Sequence, residues 1–243
     1  SAGWVLSKED FLSSSNVISL LKLRASWGKT GNAEIGNFAS RDLWNAASYK
    51  QLPSIEPVQP ESPNLTWEKS SQTDIGLDFG VFNNRVSGEI DFYNKKTNGL
   101  LFYQNIPYTS GYSNIYRNID DMKNKGFEMV INNKKKKKDN FTWDTNFNVA
   151  KNNNEITALP DDNRDQIIGN VIRRVGERLD SFYLVEYAGV DPNNGDALFY
   201  KNTLNPDGSL DKTKTNDYSE AQRIIAGSST PDWIAGLTNT VEY

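Results

Sequence analysis

Cysteine and histidine are both absent from the 243 residues. Without cysteine there is no disulfide framework, no thiolate nucleophile and no sulfur ligand for a metal. Without histidine the chain lacks the usual general base and the commonest transition-metal ligand, which excludes Ser-His-Asp hydrolysis and histidine-based zinc chemistry. No apolar run approaches the ~20 residues that a membrane-spanning helix needs, so a helical membrane protein is excluded. Low hydropathy leaves a membrane β-barrel open, because half the side chains of each barrel strand face water. An excess of one charge is missing too: 27 basic against 31 acidic residues give a net charge of −4, with no hint of a nucleic-acid partner. The chain opens on Ser1 with no signal peptide, and the expectation is an internal piece of a longer protein.

What is present is alternation. Ile75, Leu77, Phe79 and Val81 are apolar, while Asp74, Gly76, Asp78 and Gly80 between them are acidic or lack a side chain. Period two predicts a strand with one greasy and one wet face. Asn83-Asn84 can take the positive φ values of a two-residue hairpin loop, after which Val86, Gly88, Ile90 and Phe92 alternate with Arg85, Ser87, Glu89 and Asp91. The same pattern predicts strands at 19–28 (Leu21, Leu23, Ala25, Trp27 against Lys22, Arg24, Ser26), around 123–131, at 141–151 and at 233–243. Residues 1–16 form a polar approach segment with a short turn or helix.

Between these six strands lie three excursions: 29–64, with Gly31, Gly36 and four prolines; a tyrosine-rich stretch after Asn94-Lys95-Lys96; and 152–231, which carries strand-like runs of its own at 166–175, 181–190 and 196–201. The other connections are short, the second of them the charged turn at 132–140. Alternating short and long connections are those of an outer-membrane barrel, with tight turns on the periplasmic side and elaborated loops outside. Trp27, Phe79, Phe92, Phe141 and Trp143 stand at the ends of apolar bands, as interfacial girdles do.

Several segments also carry a family likeness. L-T-W-E-K-S at 65–70, I-G-L-D-F-G at 75–80, F-N-N-R at 82–85 and I-D-F-Y-N-K-K-T at 90–97 resemble the late barrel strands of SusC/RagA-type TonB-linked outer-membrane transporters. So do K-L-R-A-S-W-G-K-T-G-N at 22–32, N-K-G-F-E at 124–128, F-T-W-D-T-N-F-N at 141–148, Y-A-G-V-D-P-N-N-G-D at 187–196 and S-S-T-P-D-W at 228–233. The chain departs from the family at Asp120-Asp121-Met122, where a small and a basic residue commonly precede N-K-G. The resemblance implies an all-β fold: about six antiparallel transmembrane strands of a partial barrel over 1–243, with long extracellular loops and 152–231 as the largest excursion. A plug domain, a signal sequence and earlier strands are expected upstream, and Tyr243 is read as a truncation point. The implied function is part of an importer of oligosaccharides or peptides in the bacterial outer membrane, with no enzymatic activity and no cofactor. A SusD-like surface lipoprotein, the TonB complex (through regions upstream) and outer-membrane lipid are the implied partners. The alternative is a soluble, secreted, β-rich carbohydrate-binding or adhesion module.

The candidate ligand-binding residues are the loop aromatics Trp44, Tyr49, Tyr103, Tyr108, Tyr112 and Tyr116, whose rings suit a sugar or a peptide but also suit packing between loops. Lys134 to Lys138 reads as a solvated turn rather than an anionic-lipid or nucleic-acid patch. Asp191-Pro-Asn-Asn-Gly-Asp196 spaces oxygens like a calcium loop yet lacks the distal glutamate, and is read as a turn. Glu89 with Asp91 and Asp74 with Asp78 resemble a glycosidase pair only in spacing; they are read as a wetted wall balanced by Arg24, Arg85 and Lys22.

Overall fold

The computed structural model describes residues 1–134 and 141–243, and these form two compact units: Ser1–Pro160 with Asp232–Tyr243, and Asp161–Pro231. Among the described residues no helix is long and apolar enough to cross a membrane. The strands are β1 (Ala2–Val5), β2 (Ile18–Asn32), β3 (Leu43–Tyr49), β4 (Leu52–Gln59), β5 (Glu68–Val81), β6 (Val86–Asn105), β7 (Asn114–Lys134) and β8 (Thr142–Ala158). Then come the short β9 (Gln166–Ile168), β10 (Val171–Arg173), β11 (Ser181–Val185), β12 (Tyr187–Val190), β13 (Ala197–Tyr200), β14 (Lys214–Thr215) and β15 (Arg223–Ser228), followed by β16 (Trp233–Glu242).

The first unit is built on a seven-stranded antiparallel sheet in the order β1-β2-β5-β6-β7-β8-β16. The six expected long strands are all in it. A seventh, β1, pairs with β2 from Ala2↔Ala25 to Val5↔Lys22, in a stretch whose four residues are too few to display a period. Loops sort by end. One end of the sheet carries 6–17 and 82–85, and β7 ends there at Lys134; the other carries 33–67 and 106–113, and there β8 ends at Ala158 and β16 begins at Trp233.

Three features depart from the expectation. The β5–β6 loop has four residues, since Val81 pairs with Val86; Asn83 and Asn84 do have positive φ (59° each), but so does Phe82. The tyrosine-rich excursion is mostly ladder: β6 and β7 run for 20 and 21 residues, leaving only 106–113 as connection. The alternation there is hidden by register shifts between Thr97 and Leu101 around Gly99 (φ 65°). Asp121, one of the residues at which the chain departs from the family, holds that bulge by accepting from the Gly99 amide (3.0 Å) and Asn98 Nδ2 (2.6 Å). Thirdly, the first excursion contains a two-stranded ribbon, β3–β4, despite its prolines. Of the charged turn expected at 132–140, residues 132–134 end β7; 135–140, and with them most of the lysine run, lie outside the described residues.

The second unit carries two small sheets, ordered β15-β11-β10-β9 and β12-β13-β14, and Ile172 of β10 is fully buried. Asp191–Asp196 is the turn between β12 and β13. Asp191 Oδ1 accepts from the Asn193 amide (2.9 Å), the Gly195 amide donates to the Asp191 carbonyl (2.9 Å), and Asn194 and Asn216 donate to Asp196 Oδ2.

Candidate functional site

The register places like with like across the first unit's sheet. One row reads Trp4, Leu23, Leu77, Ile90, Met129, Val149, Ala235, apolar through all seven strands. The row on one side of it is Ala25, Ile75, Phe92, Phe127, Lys151, Trp233, and on the other Leu21, Phe79, Gly88, Ile131, Phe147, Leu237. None of these belt residues is buried, and Ile75, Phe92 and Leu237 are 57 %, 57 % and 64 % exposed. Among the described residues, the buried apolar ones of this unit, Ala39, Ile115, Ile156 and Leu159, lie outside the belt. Such a continuous apolar band needs an apolar medium, not scattered water contacts.

Aromatics collect where the belt ends. Phe127 lies between Phe92 (ring centroids 6.0 Å apart) and Trp233 (5.6 Å, edge-on), and the Lys151 ammonium stands 4.9 Å from the Trp233 centroid. Trp27 stands beyond them with Lys29 at 5.7 Å. Rings with a cation reaching past them suit a membrane–water boundary. Phe127, Trp233 and Lys151 were not in the predicted girdle; Phe79, which was, lies in the row at the opposite border, against Gly88. Trp143 stands four pairs further along the sheet than Phe147, opposite Val241.

The opposite face is polar. Its rows read Lys22, Asp78, Glu89, Val130, Asn148; Arg24, Gly76, Asp91, Glu128, Ala150; and Ser26, Asp74, Tyr93, Gly126, Asn152. Arg24 is the hub: Nε donates to Asp78 Oδ1 (2.6 Å), Nη2 donates to Asp91 Oδ2 (3.0 Å) and lies 3.8 Å from Glu89. Its reach from β2 across β5 to β6 depends on Gly76, where a Cβ would collide with Asp91 and come within 2.9 Å of the guanidinium carbon. Tyr93 likewise reaches Asn152 (3.1 Å) over Gly126. Ser26 and Gln72 donate to Asp74 (3.0 and 2.7 Å). The carboxylate pairs of the sequence thus serve an ionic lattice on an open wall. Each such exposed ion pair contributes roughly 0.2–1 kcal/mol.

The six candidate aromatics fall into two groups and two single residues. Asp42 joins Trp44 and Tyr112: Oδ2 accepts from Trp44 Nε1 (2.8 Å) and Oδ1 from the Tyr112 hydroxyl (2.9 Å), tying the first excursion to the β6–β7 connection. That hydrogen bond, and secondarily desolvation, pushes the Tyr112 hydroxyl above its ordinary pKa, so it stays protonated as the donor. Tyr103 and Tyr116 pair across β6 and β7 with centroids 4.6 Å apart. Tyr108 at the hairpin tip is 82 % exposed, and Tyr49, beside Lys50 at the ribbon's end, is 67 % exposed. Sequence reasoning missed Trp67, which with Lys29, Gly31, Lys69 and Asn98 lines a half-open groove of about 700 Å³ beside the ends of β2 and β5.

Known proteins resemble this chain in sequence and fold. The chain matches the family described as TonB dependent receptor-like, beta-barrel, over residues 7–238. It is 35% identical over 259 residues to TonB-dependent receptor P3 of Formosa agariphila, covering 99% of this chain and 26% of that protein. It is 34% identical over 263 residues to TonB-dependent receptor SusC of Bacteroides thetaiotaomicron, covering 99% and 25%. Among solved structures, the RagAB peptide transporter superposes with a TM-score of 0.88 at 32% identity, covering 99% of this chain and 27% of that one. The chain therefore spans about a quarter of the length of these relatives. With its uncovered apolar belt, its ionic opposite face and this match over nearly its whole length, the chain belongs to the TonB-dependent receptor β-barrel family.

Proposed function

We propose that this chain is wall and loop of an outer-membrane, TonB-dependent importer of oligosaccharides or peptides. The observation that carries the reading is the belt: one apolar row through seven strands between two rows that are apolar but for Lys151 and Gly88, none of them buried, backed by a face of salt bridges and amides. Lipid chains satisfy the belt and an aqueous bore satisfies the lattice. A soluble carbohydrate-binding module would leave that belt in water, which argues against the alternative. The long-loop end of the sheet faces outward, where Trp44, Tyr49, Tyr103, Tyr108, Tyr112 and Tyr116 meet ligand or a SusD-like lipoprotein lid, and TonB acts through a plug in the intact protein. The lattice supplies positioning and wetting, with no chemical step.

The test is fractionation and uptake in the native host. The intact protein is expected in the outer membrane, extracted only by detergent, with uptake lost when the inner-membrane proton gradient is collapsed. Recovery as a folded monomer in the aqueous fraction would overturn the reading.

A further inference from the structure

The two edges of the β3–β4 ribbon differ in the main-chain donors they offer. Lys50 (φ 48°) and Gln51 (φ 66°) form the two-residue loop between Tyr49 and Leu52, which are directly paired. In such a hairpin the residues flanking the loop exchange both hydrogen bonds, and pairs alternate from there. Ser48↔Pro53, Ala46↔Ile55 and Trp44↔Pro57 are then the pairs whose main-chain groups point away from the partner strand. On the β4 side those outward nitrogens belong to Pro53, Ile55 and Pro57, and the two prolines have no N–H, so that edge offers a single donor between them and is poor at accepting a further strand. On the β3 side Trp44, Ala46 and Ser48 all keep theirs. Among the described residues the sheet consists of β3 and β4 alone, and all three residues are exposed.

The β3 edge also has a greasy flank. Trp44, Ala46, Pro53, Ile55 and Pro57 share one face of the ribbon, with Ile55 70 % exposed. At its root Asp42 fixes the Trp44 indole and the Tyr112 hydroxyl. We propose that the β3 edge binds an extended peptide as an added antiparallel or parallel strand, with Trp44, Ala46 and Ser48 exchanging main-chain hydrogen bonds with it. Apolar residues at alternate positions of the peptide continue the Trp44–Ile55 face. A row of unpaired amides and carbonyls repeating every second residue, about 6.6 Å apart, matches a polypeptide backbone and no sugar chain. The inference rests on the reading of the intact receptor as an importer and narrows its cargo at this site to peptides.

The substitution Ala46→Pro tests it, because the nitrogen it removes from hydrogen bonding points away from β4 and the ribbon's own ladder survives. The probe is a short end-blocked peptide alternating threonine with valine, titrated into the detergent-solubilised intact receptor, alongside the same peptide N-methylated at alternate residues and maltoheptaose. Either change, Ala46→Pro in the receptor or N-methylation of the peptide, is expected to weaken peptide binding roughly fivefold or more. Maltoheptaose binding should be the same in parent and variant, and peptide should slow hydrogen exchange at the amides of 44, 46 and 48. Undiminished peptide binding under both changes overturns the proposal, and so does protection of those amides before peptide is added, since the receptor's own chain would then occupy the edge. A parent receptor that binds no peptide at all removes the peptide reading itself, leaving an oligosaccharide importer.

Discussion

The Arg24 side chain reaches across a neighbouring strand because one residue has no side chain to stop it. Asp78 is 54 positions away and Asp91 is 67, and the guanidinium bonds both only by lying flat over Gly76. Replacing Gly76 by valine is expected to push the Asp91 carboxylate and the Arg24 guanidinium, both ends of flexible side chains, off this path and to destabilise the intact barrel by the worth of the pairs Arg24 makes, roughly 0.2–1 kcal/mol each. The midpoint of heat-induced mobility change on gels measures this, and Arg24→Ala in the same chain should recover part of the loss. The composition of this lattice was legible, as the alternation placed Arg24, Asp78 and Asp91 on one face. The partner choice was not, because it depends on strand register and on a glycine that reads locally as a gap in the pattern. The same holds for Trp44 and Tyr112, 68 positions apart and joined by Asp42.

Strands differ in how much of themselves they display. Where a strand meets lipid on one face and water on the other, period two is forced on the sequence, and β2, β5, β8 and β16 were readable for that reason. Beyond the belt both faces are wet. Twenty residues of β6 at ~3.3 Å each give about 66 Å, far more than the ~30 Å hydrocarbon layer, and the excess carries no alternation. The β3–β4 ribbon escaped for another reason: its loop is Lys-Gln rather than Asn-Gly, and its prolines read as strand breakers although they sit with their nitrogens on the free side. The belt itself can be challenged in its central row. Leu77→Arg is expected to lower the unfolding free energy of the intact barrel in lipid by about 2–4 kcal/mol, whereas Asp78→Asn, one residue away on the wet face, should lower it by roughly 1 kcal/mol at most. Urea titration in bilayers checks both, and equal effects at the two positions would place Leu77 away from acyl chains.

At the scale of the whole molecule the two units obey different rules. The first is organised by an outside medium. The second, Asp161–Pro231, has an interior of its own, with Ile172 and Ser181 fully buried, and is pinned by polar nodes. In one of these Lys212 bonds Glu186 and Asn202, which also donates to Glu186. Lys212 above all, with Asn202, lowers the Glu186 pKa, so the folded form binds its proton less readily than the unfolded one. The stabilisation is therefore complete above the ordinary glutamate pKa and is lost as pH falls through the depressed folded value. Acidification through that range should speed hydrogen exchange at 186 and 202 in the intact protein, and Lys212→Met should flatten the dependence. An unchanged pH profile in the variant would mean that the node does not hold the unit together.

By itself the sequence determined that the chain is all-β, that its strands have two chemically opposite faces and that its loops sort to two ends. These are local properties, written in a two-residue period and in the distances between periods. Only the tertiary structure decided which carboxylates share Arg24, where aromatics gather at the belt's border, and which edge of the ribbon keeps its main-chain donors. Each of those follows from register between strands tens of residues apart, and register is a property of the paired sheet rather than of any strand read alone.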